Sequence, residues 1–229
     1  ERWHRGDQSG SMLAAVFGIS AALVSNSALV MGFAGSGAGR STVLLAGVAG
    51  LLAGAFSMAA GEYVSMSSQR GMYERELSLE ATELAENPEE EREELVLLYR
   101  AKGLGRAQAE QVADKIMADH DVALDTLARE ELGLDPDALG SPWAAAGSSF
   151  VAFALGALVV VVPYLFAAGA AALGTAVGLS VLAMAAVGGG VGILNGRSSA
   201  RSAARQVLVG GLAAVVTFGA GHLIGITVG

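Results

Sequence analysis

Residues 139–196 carry no charged side chain, and a second uncharged run covers 206–229. About 20 apolar residues are enough to cross roughly 30 Å of hydrocarbon as a helix. In lipid the backbone must satisfy its own hydrogen bonds, which favours helices over open strands. Five spans are expected, at about 12–34, 43–65, 148–168, 173–194 and 207–228. The first is too long for a signal peptide and a second span follows it closely. Only 16% of the chain is charged and 53% is hydrophobic, against about 25% charged in soluble domains. That apolar content excludes disorder, and the lack of cysteine excludes disulfide scaffolds and thiolate metal sites. A net charge of −8 with no basic stripe argues against nucleic acid as a partner.

The charge is sorted along the chain. Residues 70–137 hold 19 acidic and 8 basic side chains, net −11, against −8 for the whole sequence. The expected organisation is therefore two spans (1–67), an acidic helical domain (68–138) and three spans (139–229). Arg2 and Arg5 precede the first span, and Arg197, Arg201 and Arg205 separate the fourth from the fifth. Only Arg40 lies on the opposite side. The positive-inside rule then puts the N-terminus and the acidic domain in the cytoplasm.

Within the acidic domain, residues 73–86 contain neither Gly nor Pro and favour a helix. Asn87-Pro88 reads as a cap with a first-turn proline. Further helices are expected over 88–102, 106–119 and from about 121 to Gly133. Glu76, Glu80 and Glu83 share one face of the first helix, and Glu91 and Glu94 share a face of the second. Like charges at these spacings oppose a helix by roughly 0.2–0.5 kcal/mol per pair, which a divalent cation would offset. Carboxylates suit Mg, Ca, Mn and Fe(II). The alternative is a solvated acidic surface, with Arg75 and Arg92 neutralising part of it.

Glu62 is the only acidic residue in any span, and intramembrane carboxylates are costly and point to function. It lies one turn from Met58 and from Met66, a stripe that could pass a divalent metal; interfacial hydration of Glu62 and simple packing of the methionines are the alternatives. Ser20, Ser25, Asn26 and Ser27 give the first span a patch suited to helix–helix hydrogen bonds, and Gly50 with Gly54 forms a GxxxG pair suited to close packing. Trp143 and Tyr164 read as interfacial aromatics at the two ends of the third span. His120 reads as a cap or surface residue, and His222 is a lone histidine in the fifth span. Phosphate loops and hydrolase triads are not recognisable.

The stretch 53–65, AGAFSMAAGEYVS, resembles the second span of the vacuolar iron transporter family. Ser67-Ser68-Gln69-Arg70, the Glu-rich insert, Glu131-Leu132-Gly133-Leu134 and Ser141-Pro142-Trp143 are also similar. The resemblance covers nearly the whole chain. It implies a dimeric five-span transporter that exports Fe(II), and sometimes Mn(II), from the cytosol in exchange for protons. It maps the family's metal ligands in the insert onto Glu80, Glu83, Glu91, Glu94 and Glu131, and its translocation methionine onto Met58. The chain departs from the family in three places. Ala21-Ala22 stands where the first span usually reads Asp-Gly. Gly50 stands where plant-type members carry a carboxylate, with Glu62 nearby instead. Leu127 and Ala128 replace methionines near the last insert glutamate. Some bacterial relatives also carry an N-terminal ferritin-like domain; this sequence starts close to its first span, so the expectation is that it lacks one or has had it removed.

The expectation is an all-α integral membrane protein with five transmembrane helices and a cytoplasmic helical metal-binding insert between spans two and three. It is a bacterial-type divalent metal transporter, not an enzyme, without an organic cofactor. The few lysines and many Ala, Gly and Arg point to a bacterial plasma membrane. Expected partners are divalent metal ions, the lipid bilayer and a second copy of the chain, with no nucleic acid. The metal-site residues are Glu80, Glu83, Glu91, Glu94, Glu131, Met58 and Glu62. The competing readings are a non-transporting metal sensor or store, motivated by Ala21, and a membrane anchor whose acidic helices bind a protein.

Overall fold

The computed structural model describes residues 5–135 and 140–228. Arg2 and Asp137, which enter the charge asymmetry above, lie outside the described residues. All regular structure among the described residues is helical: α1 (Arg5–Gly35), α2 (Arg40–Glu86), α3 (Pro88–Ala101), α4 (Arg106–Met117), α5 (His120–Glu130), α6 (Pro142–Val161), α7 (Pro163–Phe166), α8 (Gly169–Leu194) and α9 (Ser199–Val228). Helices α1, α2, α6, α8 and α9 are long and apolar enough to cross a membrane. The chain is an all-α integral membrane protein. It divides into two compact units, one built on Ser65–Gly140 and one on Gln8–Val64 with Ser141–Gly229.

In the membrane unit, Ser141 caps α6 by accepting the Ala144 N–H at 3.3 Å. Pro163 ends α6 and opens the one-turn α7, because proline cannot donate the next helical hydrogen bond. Two residues of the first-span polar patch, Asn26 and Ser27, bond between helices as expected. The Asn26 amide donates to the Ala157 carbonyl at 3.3 Å, and Ser27 donates to Ser180 at 3.4 Å. Gly54 takes its place because a Cβ there would come within 2.1 Å of the Phe153 ring; small residues let helices close on one another in lipid. Gly221 is tighter still, since its Cβ would lie 1.9 Å from the Gly32 carbonyl oxygen. Tyr164 does not sit at an exposed interface. It is buried in the cluster of Val30, Met31, Val43 and Val160, and its carbonyl accepts the Arg40 Nε–H at 2.7 Å. Trp143 is exposed, with its ring 4.8 Å from that of Tyr63.

The acidic unit closes around Leu84, Leu95, Val96, Ala109, Ala113, Ala123 and Leu127. Leu95, Val96 and Leu127 are fully buried, each worth about 1.5–3 kcal/mol at most. The helix expected at 73–86 is not separate from the second span: α2 runs unbroken to Glu86. Gly71 does not interrupt it, because one glycine costs a helix only about 1 kcal/mol. Asn87 is not a side-chain cap; instead its carbonyl accepts the Glu90 and Glu91 N–H groups. Asp119 does cap α5, accepting from Asp121 and Val122, and His120 follows it as an exposed first residue.

Candidate metal centre

Three elements deliver carboxylates to one place. Glu80 comes from the C-terminal part of α2, Glu91 from the first turn of α3, and Glu131 from the residue that follows α5. One carboxylate oxygen from each lies within 4.8 Å of the other two. That is twice a metal–oxygen distance of about 2.4 Å, so one ion can bridge all three with little movement. The local sequence sets the positions. Leu84 follows Glu80 by one turn and Leu95 follows Glu91 by one turn; both leucines are core residues, so each glutamate is drawn beside the apolar centre. Leu127 lies one turn before Glu131 and is anchored in the same core.

Glu80 is 4% exposed and Glu91 5%, which is unusual for carboxylates unless they are paired or bind metal. The Glu80 Oε1 atom is buried and has no hydrogen-bond partner. Burial raises the Glu80 carboxyl to about 7, and the charges of Glu131 and Glu91 add to the rise. Glu131 is exposed as a residue, yet its carboxyl is also raised to about 7, first by desolvation and then by Glu94. Glu91 is raised by burial and by Glu94, while its contact with Glu80 opposes the rise. Glu83 acts on all three and Glu94 on Glu91 and Glu131, so both rim the cluster although both are exposed.

Among the described residues, no basic side chain pairs with any of these five glutamates. Arg92, a possible neutralising residue, is engaged by Asp114 at 2.6 Å. The ion pairs of the unit use other acids, among them Glu93 and Glu110 with Arg106, and Glu130 with Lys102. The cluster is thus a concentrated negative site made of hard oxygen donors, which suits Fe(II), Mn(II), Mg or Ca.

The remaining sequence candidates lie elsewhere. Met58 is half-buried in the membrane unit against Ala22, Ala55, Phe153 and Ala157, and Ala21 packs on the same cluster. Glu62 is half-buried one turn further along α2. Leu127 and Ala128 are fully buried, so they complete the core and supply no donor. Sequence reasoning did not single out the orphaned amide oxygen of Asn26, which is buried without a partner and would lie 2.5 Å from a Cβ at Gly50. Its only sequence signal was its membership of the polar patch.

An all-helical five-span membrane protein with a buried carboxylate cluster defines a class of ion-handling membrane proteins, and comparison narrows it. Residues 12–222 match the VIT family. Similar proteins are a vacuolar iron transporter of Acanthamoeba castellanii, 39% identical across 88% of this chain and 76% of its own length, and vacuolar iron transporter 1 of Eucalyptus grandis, 32% identical across 89% and 82%. Vacuolar iron transporter 2 of Oryza sativa subsp. japonica is 31% identical across 89% and 83%. This chain belongs to the VIT family. The relatives are transporters by name, in keeping with the expectation of a non-enzyme.

Proposed function

We propose that the protein transports Fe(II) across its membrane, loading the ion at the Glu80–Glu91–Glu131 cluster. The observation that carries this reading is the buried, unpartnered Glu80 oxygen inside a three-carboxylate cluster that no basic side chain among the described residues neutralises. The names of the relatives support iron as the cargo. Metal binding favours ionised carboxylates and releases protons. Glu80 and Glu131, each near 7, exchange protons for metal within the physiological range. Mn(II) fits the same oxygen donors.

The same reading takes residues 68–138 as a metal-binding insert between spans two and three, rimmed by Glu83 and Glu94. It places that insert and the N-terminus in the cytoplasm, on the side of Arg197, Arg201 and Arg205. The ion passes between α1 and α2 beside Met58 and Glu62, at an interface between two copies of the chain, driven by proton antiport. A bacterial plasma membrane rests on composition alone, whereas the named relatives are vacuolar proteins of eukaryotes.

A second reading is favoured by Ala21. Residues 11–35 of α1 hold no carboxylate, and Ala21 packs in the same cluster as Met58. A metal sensor or store would keep the glutamates and lose the flux. Fe(II) and Mn(II) uptake into proteoliposomes, with and without an acidic lumen, separates the two. The chain is compared with Glu80→Ala/Glu83→Ala and with Ala21→Asp. Flux that falls in the double variant supports transport. Flux seen only in Ala21→Asp, or metal binding without flux in any variant, supports the second reading.

A further inference from the structure

The turn between α8 and α9 gathers three arginines that the ion path does not use. Arg197, Ser198, Arg201, Ser202 and Arg205 line one cavity of about 370 Å³. Among the described residues none of the three guanidinium groups has an acidic partner. The sequence explains why: within Gln8–Val64 and Ser141–Gly229 the only acidic side chain is Glu62.

The hairpin that holds these arginines is tightly built. Gly196 has φ +64, and the N–H of Arg197 returns to the Gly192 carbonyl at 2.8 Å. Ser199 donates to the Gly189 carbonyl at 3.2 Å. A Cβ at Gly192 would lie 2.9 Å from the Ser202 hydroxyl, so only glycine admits α9 this close. Ser202 is 9% exposed, lines the cavity, and makes no hydrogen bond through its hydroxyl among the described residues. The partial charges of the α8 C-terminus and the α9 N-terminus oppose one another at this turn, so the arginines supply its positive field.

We propose that this hairpin binds a phosphate group, that of an anionic phospholipid at the membrane surface. Guanidinium forks match phosphate oxygens in pairs, the Ser202 hydroxyl supplies a further donor, and the position between two membrane-spanning helices meets the headgroup layer. The full chain is delipidated in non-ionic detergent and its melting temperature is followed while phosphatidylglycerol, phosphatidylcholine or inorganic phosphate is titrated in. Phosphatidylglycerol raises the melting temperature saturably, phosphatidylcholine does not, and Arg201→Gln/Arg205→Gln weakens half-saturation by about fivefold per arginine. Equal responses to the two lipids, or an unchanged midpoint in the variant, overturn the proposal. Arginine-dependent stabilisation by inorganic phosphate, without a response to phosphatidylglycerol, upholds the phosphate site and assigns it to a free anion. If the double variant melts early without any lipid, Arg197→Gln, in the turn ahead of α9, gives the same reading.

Discussion

Glu80→Gln is expected to stabilise the metal-free protein at pH 8 and to leave it almost unchanged at pH 4. Burial and neighbouring charge raise the Glu80 carboxyl from 4.5 to about 7. A raised acid binds its proton more tightly in the folded state than in the unfolded one. Folding stability therefore falls as pH rises through 4.5 to 7, and the loss is complete above about 7. That rise to about 7 corresponds to at most roughly 3 kcal/mol at pH 8 and to a few tenths at pH 4. Glu80 is 4% exposed, but Glu131 beside it is open to solvent, so screening makes that figure an upper bound. For a chain of this size roughly 3 kcal/mol moves a melting temperature by about 6–12 °C. Thermal unfolding of the chelator-treated full chain in detergent, at pH 4, 6 and 8, reads this directly. The gain grows with pH, while Fe(II) stabilises the variant less than the parent. A variant that is no more stable at pH 8, or equally altered at all three values, refutes the picture of a frustrated carboxyl awaiting a cation.

Metal affinity carries a linked signature: between pH 7 and 6, Mn(II) binding in a competition titration weakens about 5-fold if one glutamate near 7 must lose its proton, and about 30-fold if both Glu80 and Glu131 must. Gly221→Ala forces a Cβ against the Gly32 carbonyl and lowers stability by roughly 1–3 kcal/mol, whereas Gly61→Ala, with open space around it, leaves the melting temperature level or slightly raised. Arg40→Gln removes the donors to the Tyr164 and Leu165 carbonyls and costs about 1.5–3 kcal/mol, seen as earlier melting that added Fe(II) does not reverse.

The spans were legible because lipid imposes a one-dimensional rule. A segment either lacks charge for long enough or it does not, and five segments did. Helix ends were less legible, since α2 continues through Gly71 where composition changes but nothing forbids the next turn. Sequence shows that Tyr164 lies near a span end, but only packing against Val30 and Val160 decides that its ring is buried among helices.

Glu76, Glu80, Glu83, Glu91 and Glu94 are visible as like charges repeated on helix faces, which local repulsion alone does not favour, whereas Glu131 enters only through the family resemblance. What sequence could not decide was which of them converge. Glu76 and Glu80 share a face of α2, yet only Glu80 stands beside Leu84 and the α3–α5 core. Glu91 and Glu131 are 40 positions apart and meet only when Leu95 and Leu127 enter one cluster. The chain by itself determined that it lives in a membrane, because hydrocarbon reads charge residue by residue. The tertiary structure decided which acids lose their water, because burial depends on what the rest of the chain packs against them.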